Sequence, residues 1–252
     1  MVSLRENLQK NKLTIGSWIT LGHPAIGEIM AQAGFDWLTI DMEHSAIDLD
    51  EAQELMQVIA LSGCTPLVRV GDNSPYLIKR VMDAGAGGVI VPMVNSRDDA
   101  IRAVEAVKYP PTGKRGVGLG RAQDYGLGFE QYKKWVAEES VVIVQIEHIQ
   151  AVRNMKKILS VKGVDGFIVG PYDLSGSLGI PGQFENPKVK SALKQVMQTA
   201  KEMRKTAGFH VVDPNPDDFQ AKFNDGYRFI AFGLDTLFLG KNCRELMKKI
   251  KK

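Results

Sequence analysis

The chain has 252 residues, 44% hydrophobic and 24% charged, with a net charge of +3 from 32 basic and 29 acidic side chains. That balance suits a folded soluble unit with a sizeable core, and scattered basic groups without interleaved aromatics argue against a nucleic-acid surface. Cys64 and Cys243 stand alone, which predicts neither a disulfide framework nor a zinc knuckle, and no apolar stretch approaches the ~18 residues a membrane span needs.

Taken in chain order, the segment Met1–Asn7 lacks the apolar core of a secretory leader, and the chain reads as cytoplasmic. Strand-like apolar runs then recur at 13–19, 36–41, 65–70, 87–92, 141–147, 164–170, 208–212 and 227–233. Runs such as Val141-Val142-Ile143-Val144-Gln145-Ile146 are apolar almost throughout, as expected of parallel strands covered by helices. Between them the spacing is helical: Leu49, Ala52, Leu55, Met56 and Ile59 share one face behind a predicted N-cap at Asp48. Pro187 opens a helix over 187–206, and Gly208 precedes the next strand. The Gly- and Pro-rich segment Pro110–Tyr125 reads as a long loop over the exit of the fourth strand. The Lys248-Lys249-Ile250-Lys251-Lys252 tail reads as a solvated helix end.

Eight strands alternating with helices in about 250 residues predict an α/β fold, a (β/α)8 TIM barrel over residues 1–252 as one domain. An open doubly wound sheet is the alternative that the same alternation permits. In a barrel the active site is built where strands end, and these runs end in reactive groups: Asp41-Met42-Glu43-His44, Arg69, Gln145-Ile146-Glu147 and Tyr172-Asp173. Glu147 and Asp173 close successive strands and would make a hard-oxygen site with two carboxylates, suited to Mg²⁺ or Mn²⁺. Their other reading is a pair of helix caps or ion pairs. His44 beside Asp41 and Glu43 suits proton transfer, the alternative being a merely hydrogen-bonded histidine. Arg69 offers bidentate capture of a carboxylate or an oxyanion, against a rim ion pair with Asp41 or Asp83. No lysine ends a run, which disfavours a Schiff base and leaves carbonyl polarisation to a metal.

Weaker signals complete the reading. Gly116-Val117-Gly118-Leu119-Gly120 lacks the helix start and spaced acid of a dinucleotide loop. The acidic turns Asp213–Asp217 and Leu234–Thr236 have no glycine cradle for phosphate. His23 leaves the first run on the functional face, where it is either a loop residue or a substrate contact, and His148 and His210 read as structural.

These motifs, with Pro66-Leu67-Val68-Arg69-Val70, Val91-Pro92-Met93-Val94, Tyr109-Pro110-Pro111, Gly113-Lys114-Arg115-Gly116 and Gly170-Pro171-Tyr172-Asp173-Leu174-Ser175, give a chain that resembles the HpcH/HpaI aldolase and citrate lyase family from about Gly16 to Leu239. The resemblance implies a barrel in which Glu147 and Asp173 hold a divalent metal (Mg²⁺, Mn²⁺ or Co²⁺). Arg69, Gln145 and Tyr172 would contact the 2-oxo acid together with Asp173, and His44, paired with Asp83 and helped by Asp41, would be the acid-base group. It implies a homo-oligomer, a hexamer with the last helix exchanged between subunits. The expected activity is class II aldol cleavage of a 4-hydroxy-2-oxo acid, of the 2-keto-3-deoxy sugar acid or hydroxy-oxo-diacid type, to pyruvate and an aldehyde. The rivals are a citrate-forming or CoA-ester lyase of the same superfamily and a catalytically silent barrel that binds ligands. One departure is His148-Ile149, where such aldolases often carry Thr-Pro; Trp18, His23 and the 110–125 loop are the expected determinants of aldehyde choice.

Overall fold

Each apolar run becomes a strand because its alternate residues face two apolar surroundings, the lumen of a barrel and the ring of helices outside it. In the computed structural model, which describes residues 3–251, the strands are β1 (Thr14–Ile19), β2 (Trp37–Asp41), β3 (Thr65–Arg69), β4 (Gly88–Val91), β5 (Val141–Ile146), β6 (Gly166–Val169), β7 (Thr206–Val211) and β8 (Phe229–Leu234). Each pairs in parallel with the next and β8 returns to β1, closing a barrel in sequence order. The open-sheet alternative is thereby excluded. The helices are α1 (Leu4–Gln9), α2 (Pro24–Gln32), α3 (Leu49–Leu61), α4 (Pro75–Ala84), α5 (Arg97–Val107), α6 (Phe129–Glu138), α7 (Ile149–Leu159), α8 (Pro171–Ser177), α9 (Pro187–Met203), α10 (Pro216–Asn224) and α11 (Asp235–Ile250). Met1, Val2 and Lys252, at the ends of the Met1–Asn7 segment and of the lysine tail, lie outside the described residues.

Two cores result. Outward residues such as Leu38, Ile40, Val68, Val89, Val142, Val144 and Phe167 pack against the helices, with Leu55, Met56 and Ile59 of α3 among them. Asp48 caps α3 as predicted, its backbone N–H donating to Glu51 Oε2 at 3.0 Å. Inward residues Trp37, Leu67, Ile90, Ile143, Ile168 and Phe229 fill the lumen, and Leu4 and Leu8 of α1 close its N-terminal end. Trp37 stacks on Phe229 with ring centroids 4.1 Å apart. Room for that stack comes from Gly16, where a Cβ would lie 2.1 Å from the indole. Gly16→Ala is therefore expected to destabilise the fold by about 3 kcal/mol, as overpacking of a closed core does, read as a lower urea midpoint at unchanged slope.

Two expectations are corrected. Gly208 lies inside β7 rather than before it, because the strand starts at Thr206 and Gly208 pairs with Phe229, leaving lumen space to that ring. The 110–125 segment does not cover the β4 exit: the eleven residues of α5 carry the chain back to the other end of the barrel first. There Arg115 is buried, with its Nη2 donating to Asp83 at 2.5 Å and to the Tyr132 hydroxyl at 3.1 Å, and Arg121 donates to the Ala84 carbonyl. These bonds tie the loop to the C-terminal end of α4 and to α6.

Candidate active site

Strand parity decides which side chains reach the mouth. Asp41 and Arg69 sit side by side in the β2–β3 register, both facing inward. Arg69 donates from Nε to Asp41 Oδ1 at 2.9 Å and from Nη2 to Oδ2 at 2.6 Å, and Nη1 lies 3.2 Å from Glu43 Oε2. Burial works against the charged Asp41, but the guanidinium and the backbone N–H groups of His44 and Glu43 outweigh it and hold the carboxyl below its ordinary value. Asp41 thus orients Arg69 and shapes the turn that carries His44. Two of the five guanidinium N–H groups donate to Asp41 and Nη1 stands in ion-pair range of Glu43, so N–H groups on Nη1 and Nη2 remain for a ligand. Beneath the guanidinium lies the Trp18 ring, 4.6 Å from it. His44 is largely exposed, with Nε2 3.8 Å from Glu43 Oε2.

Across the mouth, Glu147 follows β5 and is buried. Its Oε1 accepts from the Met93 N–H at 2.6 Å and its Oε2 from Gln145 Nε2. Met93 takes a left-handed φ of 51° to aim that N–H, strain of the kind proteins hold at functional sites. Gly170 lets the β6 exit pass over the carboxylate, since a Cβ there would come within 3.0 Å of Glu147 Oε2. Asp173 occupies the first turn of α8. Burial pushes the Glu147 carboxyl up to about 7, opposed by the Met93 N–H and reinforced by the negative charges of Glu43 and Asp173. Burial also raises Glu43, against the pull of Arg69.

The buried Glu147 therefore meets the negative charges of the part-buried Glu43 and the exposed Asp173, while the neighbouring cation, Arg69, is already bound to Asp41. This donor set fits a divalent cation with hard-oxygen preference. Among the described residues no group of three or more His, Cys, Asp or Glu is arranged to enclose an ion unaided. Two carboxylates with remaining positions for water and substrate is the pattern Mg²⁺ favours.

His44, Arg69, Gln145, Tyr172 and Asp173 all line one cavity of about 210 Å³ at the strand C-termini. Larger clefts, of about 630 and 770 Å³, lie at the N-terminal end and beside the 121–128 turn, away from these groups. Asp83 is not brought to His44: it is near the C-terminus of α4, at the opposite end of the barrel, bonded to Arg115 and Gln123. The pair does not form within one chain. Lysine is absent from the cavity wall among the described residues. The buried lysine, Lys108, binds the Val136 and Ser140 carbonyls far from it. His23 and His148 are N-caps of α2 and α7, each accepting a backbone N–H at Nδ1.

His210, read as structural from sequence, also lines the cavity. It shares the inward parity of Gly208, a count along β7 that would have found it. Nε2 meets the Gly233 carbonyl at 3.2 Å, so Nε2 carries the proton. Burial, with the Arg69 charge adding to it, holds the imidazole down to about 3 from an ordinary 6.5. Above pH 6.5 neither the folded nor the unfolded chain protonates this ring; between 6.5 and 3 only the unfolded chain does, so stability falls as pH drops through that window. Relative to His210→Phe, the wild type is expected to lose about 2 kcal/mol more between pH 7 and 5, measured by urea unfolding.

With this geometry in view, the family model described as HpcH/HpaI aldolase/citrate lyase matches residues 14–241. The chain belongs to this family. It is 38% identical over 245 residues to a 4-hydroxy-2-oxovalerate aldolase of Rhodococcus jostii, covering 97% of this chain and 94% of that protein. It is 37% identical to a 2-keto-3-deoxy-L-rhamnonate aldolase of Escherichia coli, covering 92% and 87%. A crystal structure of a family protein from Burkholderia cenocepacia superposes with a TM-score of 0.94 at 32% identity, each chain covered completely. Family membership makes the chain a carbon–carbon lyase. No helix among the described residues is long and apolar enough to cross a membrane.

Proposed function

We propose that the chain is a metal-dependent aldolase that reversibly cleaves a 4-hydroxy-2-oxo acid to pyruvate and an aldehyde. The observation that carries this reading is the buried Glu147, raised by its own burial and by the charges of Glu43 and Asp173, in one mouth with an Arg69 that keeps N–H groups beyond the two held by Asp41. Glu147 and Asp173 would hold Mg²⁺ or Mn²⁺, which supplies a Lewis acid for the charge that develops on the 2-oxo oxygen. Arg69, fixed by Asp41 and backed by Trp18, offers its free N–H groups to the oxo-acid oxygens and adds electrostatic stabilisation of the developing charge. Gln145, whose Oε1 is buried without a partner, and Tyr172 bound the same end of the substrate. His44 takes the 4-hydroxyl proton through water in cleavage and returns it in condensation, work typically worth about 10²- to 10⁴-fold.

Assembly belongs to the same reading. A His44–Asp83 pair needs a second copy, because the two residues lie at opposite ends of one barrel. The exposed Leu239, Leu246, Met247 and Ile250 of α11 support a homo-oligomer, a hexamer with the last helix exchanged. We place the protein in the cytoplasm as one barrel domain. The test is pyruvate release from a 4-hydroxy-2-oxo acid, followed with lactate dehydrogenase. Chelation with EDTA should abolish release and Mg²⁺ or Mn²⁺ restore it; release indifferent to chelation defeats the proposal.

A further inference from the structure

The cavity is also lined by Trp18 of β1, His210 of β7 and Val212. His210 is held there from two sides. Its Nε2–H donates to the Gly233 carbonyl, and that carbonyl is presented by a residue at φ +63°, where a Cβ would also strike Phe238 at 2.6 Å. Ser17 Oγ donates to the same oxygen at 3.2 Å, which fixes it further. The ring packs on Trp18 with centroids 5.2 Å apart, and Trp18 in turn lies against the Arg69 guanidinium. A neighbouring cation and burial both oppose a second proton, so the ring stays neutral across the physiological range. With Nε2 committed, Nδ1 carries only a lone pair, and no partner for it occurs among the described residues.

We propose that His210 is a specificity-determining residue whose Nδ1 accepts a hydrogen bond from a hydroxyl on the aldehyde-derived part of the substrate. This rests on the aldolase reading above and selects within it. A neutral acceptor favours a hydroxylated chain, gives an alkyl chain nothing, and faces a terminal carboxylate with a lone pair instead of a donor. The substrate class is therefore a polyhydroxylated 4-hydroxy-2-oxo acid, a 3-deoxy sugar acid in type, over the alkyl and dicarboxylic classes.

The test is condensation of pyruvate with isosteric aldehyde pairs under Mg²⁺, comparing kcat/KM: glycolaldehyde with propanal, and 2-hydroxypropanal with 2-methylpropanal, with succinic semialdehyde as the acidic probe. The wild type should prefer each hydroxylated member by about 10- to 100-fold, because the alkyl partner covers the Nδ1 acceptor without pairing it. His210→Phe keeps the ring against Trp18 and should erase the preference, while His210→Asn, which retains an acceptor, should recover part of it. A wild type indifferent to the hydroxyl, or one that favours the semialdehyde, overturns the assignment even if both variants fail to fold. So does a folded Phe variant with unchanged selectivity. A wild type that neither condenses pyruvate with any of these aldehydes nor releases pyruvate in the cleavage assay overturns the underlying aldolase reading instead.

Discussion

Glu147→Gln is expected to lower kcat for pyruvate release by on the order of 10³-fold, the consequence of losing several kcal/mol of charge stabilisation in the transition state. The amide keeps the shape of the carboxylate and can still accept from the Met93 N–H. It carries no charge for a cation, so Mn²⁺ affinity measured by calorimetry should fall together with the rate. Stability should move the other way. Burial and the charges of Glu43 and Asp173 make the ionised Glu147 costly in the metal-free protein, and the neutral amide removes that repulsion. An unchanged or raised urea midpoint in the metal-free variant is the expected result. A midpoint that collapses along with activity would mean that Glu147 is a structural ion-pair residue. Asp173→Asn should weaken Mn²⁺ in the same way.

Arg69→Lys should be the most damaging conservative exchange in the site. An ammonium cannot span both oxygens of Asp41, reach Glu43 and lie flat on Trp18 at once. The exchange leaves Asp41, which is 3% exposed, with poor compensation, and breaking a pair so enclosed costs about 3 kcal/mol. Turnover should fall about 10²- to 10³-fold, since the oxo-acid oxygens lose a preorganised pair of donors. Asp41→Asn should give a related defect through Arg69 rather than through proton transfer. The double variant is expected to be much less damaged than the sum of the singles, in both urea midpoint and kcat/KM. Additive effects would place Asp41 and Arg69 in separate roles.

The barrel was legible because parallel strands covered on both faces are apolar almost end to end, and the strand C-termini therefore marked the reactive groups. Asp41, Arg69, Gln145 and Glu147 follow from that rule alone. What failed were inferences needing the path of the chain between strands. The Gly and Pro content of 110–125 marks a long loop but not which end of the barrel it covers: α5 first carries the chain to the far end, where Arg115 anchors it to Asp83. The same path puts Asp83 at the far end of the barrel from His44 in its own chain. Backbone contributions such as the Met93 N–H leave no side-chain signature. His210 was missed for a different reason: one polar residue in an apolar strand looks structural until its parity shows that it faces the lumen beside Trp18.

The most direct measurement of the central claim, that Glu147 and Asp173 create a cation site for enolate chemistry at the barrel mouth, is proton exchange of pyruvate in heavy water followed by NMR. The account predicts loss of the methyl signal with the wild type and Mg²⁺ or Mn²⁺, and none after chelation or in Glu147→Gln. A methyl signal that persists with metal present, or that exchanges equally without it, would contradict the account.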